Sequence, residues 1–194
     1  AHPEWSPMRP SNAYSASKAA SECIAYPYWR AGQVKLIITN TMNNFGPMQA
    51  ASKFPAMVQR QLEAGEKVTV HGNEQEIGTR FYIHSRNTSD AVLYILRNLP
   101  PYLHRKGYLD DPDRYHIVGS TCLSNLELAQ WIADLMGCPL DYELVDFHRD
   151  NPAHDIHYGL EDNRLRRRGW TPPISFEDSL LETIQWQQQH KEWI

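Results

Sequence analysis

Lys35-Leu36-Ile37-Ile38-Thr39-Asn40-Thr41 is an apolar, β-branched run that turns polar at Asn40. It is short, and nothing in it alternates, so it predicts a strand over Lys35–Thr39 buried on both faces, as in a parallel sheet. A parallel sheet with helices between its strands places the chain in the α/β class. In an open α/β sheet ligands gather outside the carboxyl ends of the strands. Asn40, Thr41, Asn43 and Asn44 stand at that end of this strand. Asparagines also cap turns, and that reading stays open for them.

Before the strand lies a helix. Ser11 or Asn12 serves as its cap, and its Ala-rich body runs from near Tyr14 toward Trp29 and ends at Gly32, with Pro27 expected to kink the last turns. Within Tyr14-Ser15-Ala16-Ser17-Lys18 the helix brings Tyr14 and Lys18 one turn apart on one face. A tyrosine titrates near pH 10 when unperturbed, and a lysine cation nearby favours the phenolate. The pair suits acid/base work between an alcohol and a carbonyl. The same spacing also describes an ordinary amphipathic surface pair.

After the strand, Phe54, Met57, Val58 and Leu62 recur with a helical period that Gly65 closes. Lys67–His71 and Arg80–His84 read as strands separated by a polar turn. Asn87 or Thr88 leads into an apolar helix over Ala91–Leu96 that Pro100-Pro101 ends, and Tyr102–Arg114 reads as an exposed loop. Leu126–Met136 gives a helix, Tyr142–Val145 a strand and Ser179–His190 an amphipathic terminal helix.

The flanks of Tyr14 carry a resemblance. Pro3-Glu4-Trp5-Ser6-Pro7 through Ser21-Glu22, Asn43-Asn44-Phe45-Gly46-Pro47, Val70-His71-Gly72, Arg80-Phe81-Tyr82-Ile83-His84, Pro152-Ala153-His154-Asp155 and Gly169-Trp170-Thr171-Pro172 fall in one order over nearly the whole chain. Together they resemble the extended short-chain dehydrogenase/reductases that epimerise or dehydrate nucleotide sugars, and by motif the sugar-nucleotide 4,6-dehydratases most. The resemblance implies the C-terminal part of a Rossmann-type parallel sheet with a smaller α/β substrate-binding domain. It divides the chain into 1–65 and 84–119, dinucleotide-binding, and 66–83 and 120–194, substrate-binding, with Tyr115–Gly119 returning as a strand to the first sheet. It implies NAD rather than NADP as cofactor. Tyr14 would act as acid/base on a sugar hydroxyl, and Lys18 would hold the nicotinamide ribose and lower the tyrosine pKa. Tyr14, Lys18 and Asn40 would meet the cofactor; Asn43, Lys53, His71, Arg80, His116 and Arg149 would meet a nucleotide-sugar substrate. It also implies a homodimer through the helix of Tyr14 and Lys18.

Departures from the family pattern accompany these positions. Gly78 and His116 stand where the dehydratases carry Arg and Asn, and Asn151 stands where they carry Arg; Arg80 and Arg149 are the nearest guanidinium groups. No GxxGxxG occurs, so the glycine-rich turn that cradles a dinucleotide pyrophosphate is absent from this sequence. The family's catalytic Ser/Thr and the dehydratases' Asp-Glu pair both precede the tyrosine, and the chain has neither. It reads as the C-terminal portion of a larger enzyme, inactive in isolation. A non-catalytic module serving binding or dimerisation is the competing reading.

Composition narrows the remaining classes. A net charge of −4 argues against nucleic acid as the main partner. No apolar run approaches a membrane span. Cys23, Cys122 and Cys138 are unpaired in number and lack metal-ligand spacing, which suits a reducing compartment, the cytoplasm. His148, His154, Asp155 and His157 are interrupted by Pro152, so no metal site is expected from them. The run Arg164–Arg168 before Gly169 reads as a short helix's basic end rather than a nucleic-acid patch. Trp131, Trp170 and Trp186 read as core residues.

Overall fold

The structure, a computed structural model, describes residues 1–104, 111–151 and 155–193. Helix α1 (Ala13–Arg30) starts where the sequence places a cap. Asn12 Oδ1 accepts from Ser15 N–H at 2.9 Å, and Ser15 Oγ accepts from Asn12 N–H at 3.1 Å, a reciprocal capping box. Pro27 does not end the helix, which continues to Arg30. Its missing N–H lies near the helix end, where Ala31 N–H still reaches the Pro27 carbonyl at 2.9 Å.

Strand β1 (Ile37–Thr41) pairs in parallel with β5 (Asp113–Ile117), Ile37 opposite Asp113 and Thr41 opposite Ile117. Both differ from expectation by two residues. Lys35 forms an isolated bridge to Leu103 instead, and β5 begins inside the stretch read as a loop. The remainder of that loop, residues 105–110, lies outside the described residues. A second ladder is built on β4 (Thr79–His84): β2 (Asn43–Phe45) and β8 (His157–Tyr158) run parallel to it, and β6 (Thr121–Ser124) runs antiparallel. A third joins β3 (Val68–His71) in parallel to β7 (Tyr142–Val145). β3 and β4 therefore do not pair, although only a short turn separates them.

Helices α2 (Phe54–Ala64), α4 (Asn125–Met136) and α7 (Phe176–Gln189) enclose one apolar core with β3 and Tyr82. Val58, Leu128, Ile132, Leu180 and Ile184 form its centre. A second core gathers Ile83, Tyr115 and Ile117 with Ala91 and Ile95 of α3 (Ser85–Asn98) and Leu165 of α6 (Asn163–Arg167). Trp170 closes this second core, and its indole N–H donates to Asp90 at 2.8 Å. β4 links the two, Tyr82 facing one and Ile83 the other, as period-two alternation requires. The basic run does sit in α6, but its cations meet acids rather than only the helix dipole. Arg166 pairs with Asp162, and Arg164 pairs with Asp113 while its guanidinium lies over the Tyr115 ring.

Candidate active site

Tyr14 occupies the second position of α1 and is 73% exposed. Lys18 follows one turn later, also exposed. No hydrogen bond or ion pair joins either side chain to another described residue.

Lys18 opens onto a groove of about 580 Å³ between the N-terminal loop, α1, the β1/β5 ladder and β8. Glu22, Asn40, Arg114, His116, His157 and Tyr158 line it with Lys18. Tyr14 stands close enough to Tyr158 to act on it electrostatically. Burial above all, then Asp155 and Tyr14, hold the Tyr158 phenol above its ordinary range, against the pull of Arg80.

One turn below Lys18, three side chains from three elements close a ring. Glu22 of α1 accepts from Asn40 Nδ2 of β1 at 2.8 Å. Arg114 Nη1 of β5 donates to Asn40 Oδ1 at 2.7 Å. Arg114 Nη2 lies 2.6 Å from Glu22 Oε2, a close charge contact whose N–H is not aligned on the oxygen. Burial alone would raise the Glu22 carboxyl, but Arg114 and Asn40 outweigh it and hold the group below its ordinary range. Burial likewise opposes charge on Arg114, yet Glu22 and Tyr26 keep its affinity for the proton above the ordinary arginine range.

Asn40, expected on the cofactor, bonds Glu22 with its amide nitrogen and Arg114 with its amide oxygen. Arg80, expected on the substrate, has a guanidinium that donates to the carbonyls of Thr79, Asp155 and Ile156, so it ties β4 to the segment before β8. Desolvation by burial also lowers its proton affinity. His116 lines the groove but is buried, with Nδ1 bonded to the Glu161 carbonyl at 3.0 Å. Its burial holds the imidazole below its usual range despite Glu4 and that carbonyl.

The remaining expected residues do not line the groove. Asn43 is exposed on β2, and Lys53 stands exposed before α2 with no capping bond from its side chain. His71 ends β3 and stacks on Phe147 at 4.4 Å, the planes 2° apart. Arg149, on the short helix α5 (Phe147–Asp150) that carries Phe147, is exposed, and its backbone N–H donates to Asp146 at 3.1 Å. His71 and Arg149 therefore belong to the carboxyl end of the β3/β7 ladder. Pro152, Ala153 and His154 lie outside the described residues, as does the side chain of His148. Among the described residues no three His, Cys, Asp or Glu side chains converge on a possible metal position, and no helix is long and apolar enough to cross a membrane.

Sequence reasoning misses Glu22 and Arg114 as parts of this site, and it meets His157 only as a member of a rejected metal cluster. Glu22 carries a signal, lying four residues after Lys18 on the same helix face. Arg114 and His157 carry none, since one falls in a stretch that reads as loop and the other acquires its partners from afar: His157 bonds Thr79 Oγ1 at 2.8 Å and Glu76 at 2.9 Å.

The model of the NAD dependent epimerase/dehydratase family matches residues 2–105. The chain is 31% identical over 191 residues to a dTDP-glucose 4,6-dehydratase of Streptomyces niveus, covering 98% of this chain and 53% of that protein. It is similar to the solved dTDP-glucose 4,6-dehydratase of Streptomyces venezuelae, with NAD bound, at TM-score 0.84 and 27% identity, covering 98% of this chain and 55% of that one. The Bacillus anthracis dTDP-glucose 4,6-dehydratase in complex with NAD gives TM-score 0.83 and 27% identity, over 98% and 56% of the two chains. The chain thus spans about half the length of the curated relatives it matches.

Proposed function

The chain belongs to the NAD dependent epimerase/dehydratase family, and on that premise we propose that it forms the Tyr–Lys part of an enzyme that acts on a nucleotide sugar by transient hydride removal. The observation that carries this reading is the placement of Tyr14 and Lys18. Both are exposed, neither is held by another described side chain, and Lys18 opens onto the groove.

These residues fit one end of an NAD molecule. Lys18 offers an unengaged ammonium to a ribose, and Tyr14 offers an exposed phenol near Tyr158, which lines the groove. Asn40 keeps one N–H and one lone pair beyond its bonds to Glu22 and Arg114, and no GxxGxxG turn occurs in this sequence for a pyrophosphate. When bound, NAD supplies the hydride acceptor. Tyr14 as phenolate takes the proton of the sugar hydroxyl as its carbon becomes a carbonyl; where inversion is the outcome it returns that proton as the hydroxyl re-forms, and where 4,6-dehydration is the outcome the carbonyl is kept. Lys18 lowers the cost of that phenolate by its charge. A carbonyl acidifies the neighbouring C–H, which opens the way to elimination or inversion. The names of the relatives favour dTDP-glucose as the first substrate to try, with 4,6-dehydration as the outcome.

The test uses two polypeptides. The 194-residue chain, titrated with NAD in a calorimeter, is expected to show no micromolar binding and no turnover of dTDP-glucose. A polypeptide that carries this chain behind a glycine-rich dinucleotide-binding half is expected to convert dTDP-glucose to its 4-keto-6-deoxy product, and Tyr14→Phe to lower kcat at least ~100-fold. Full activity in Tyr14→Phe would overturn the assignment of the acid/base.

A further inference from the structure

Lys18 and Glu22 lie at i and i+4 on α1, the spacing at which a lysine and a glutamate ordinarily pair. They do not pair here. Glu22 is turned to Arg114 at 2.6 Å and to Asn40 at 2.8 Å, and its side chain keeps 18% of its exposure while that of Arg114 keeps 16%. Lys18 stays exposed without a partner among the described residues. Tyr26, one further turn along α1, also acts electrostatically on Arg114, so the guanidinium is tied to the helix from the neighbouring strand.

A half-buried carboxylate does not stay uncompensated. If its guanidinium partner were absent, the nearest cation able to answer it would be the ammonium one turn above. We infer that Arg114 is a positioning residue: by binding Glu22 it keeps the Lys18 ammonium free to act on Tyr14. The inference rests on the proposed roles of Tyr14 and Lys18 and adds the group that keeps them available. The charged and polar groups acting on Glu22 are Asn40 from β1 and Arg114 and His116 from β5, with Lys18 one turn before it on α1, and Tyr158 of β8 faces Tyr14. Of these, Arg114 alone is a permanent cation held against the carboxylate.

The inference is tested by titrating the Tyr14 phenol by NMR in the 194-residue chain, with ring-labelled tyrosine and the resonance assigned from Tyr14→Phe. Arg114→Met is expected to raise the Tyr14 midpoint above that of the parent, as Lys18 turns to Glu22 and its charge is masked. Glu22→Gln alone is expected to leave the midpoint in place, because Glu22 is already held away from Lys18. The pair Glu22→Gln with Arg114→Met is expected to restore the parent value, and it removes both half-buried charges together, so it folds even where the single change does not. In a Lys18→Gln background, Arg114→Met should no longer move Tyr14. Arg114→Lys keeps a cation against Glu22 and should titrate like the parent.

An unmoved midpoint in Arg114→Met would overturn the inference. So would a shift that persists without Lys18, since Arg114 would then act on Tyr14 only as a distant charge, and so would Arg114→Lys shifting as far as Arg114→Met. No turnover enters these measurements. A failure of the hydride-transfer reading would appear in the activity of Tyr14→Phe and leave the titrations readable.

Discussion

Replacing Gly119 by alanine should unfold the link between the two cores. Gly119 follows β5 as the chain crosses toward β6, and there its backbone passes directly under β4. A methyl group at Gly119 would sit 2.8 Å from the Tyr82 carbonyl carbon and 3.4 Å from the Ile83 Cα, and nearer still to the Tyr82 carbonyl oxygen. All of these are backbone atoms, so no rotamer change relieves the overlap. The strand must move, and with it Tyr82, which is 4% exposed in one core, and Ile83, 1% exposed in the other. Overpacking of this kind costs about 1–3 kcal/mol where side chains can yield, so here we expect about 3 kcal/mol or more. Gly137 supplies the control. It ends α4 with φ of 69°, and a methyl group added there would meet nothing within 4 Å. Gly137→Ala should cost only the left-handed backbone, about 1 kcal/mol. Urea denaturation followed by far-ultraviolet circular dichroism gives both differences from the midpoints at a common m-value. A cost for Gly119→Ala no greater than that of Gly137→Ala would refute the argument from close approach.

Two further outcomes follow from exposed and buried groups. The α1 face carrying Ile24, 65% exposed, and Tyr28, 54% exposed, presents them four residues apart on one side of the helix and supports the proposal that two copies pair there; sedimentation at tens of micromolar should find a dimer, with Ile24→Glu monomeric, and a monomeric parent would end that proposal. Burial holds both His84 and His116 below the ordinary histidine value of 6.5. Between the folded value and 6.5 the unfolded chain binds more protons than the folded one, so their contribution to stability is complete above 6.5 and is lost as pH falls through the folded value. Melting temperature should therefore drop from pH 7 toward pH 5, and His84→Gln with His116→Gln should flatten that drop; an equally steep drop in the double variant would show that other groups cause it.

The parts of the fold visible in the sequence are those whose causes are local. The α1 cap needs only Asn12 and Ser15, the ends of α2 and α4 need only Gly65 and Gly137, and the burial of Ile38 follows from an apolar run. β5 shows where this stops. Its first residues, Asp113 and Arg114, are charged and read as loop, yet Arg164 neutralises the one and Glu22 the other, partners some 50 and 90 positions away. β2 and β8 are too short to carry a pattern, and they exist because β4 offers them backbone partners.

The candidate site divides the same way, and the division bears on mechanism. Tyr14 and Lys18 are legible because one helical turn relates them. Asn40 and Arg80 suggest ligand contacts by residue type and position along the chain, but a polar side chain beside a ligand site is also beside the protein's own unsatisfied groups. Asn40 meets Glu22 and Arg114; Arg80 meets the carbonyls before β8. What distinguishes Lys18 is that the acid nearest to it along the helix has been claimed by a cation from another strand. A lysine left unpaired one turn from a glutamate is an arrangement that the sequence of α1 would not produce alone. It requires β5 to deliver Arg114, and so the proposed availability of Lys18 to Tyr14 rests on the sheet as much as on the helix that carries both.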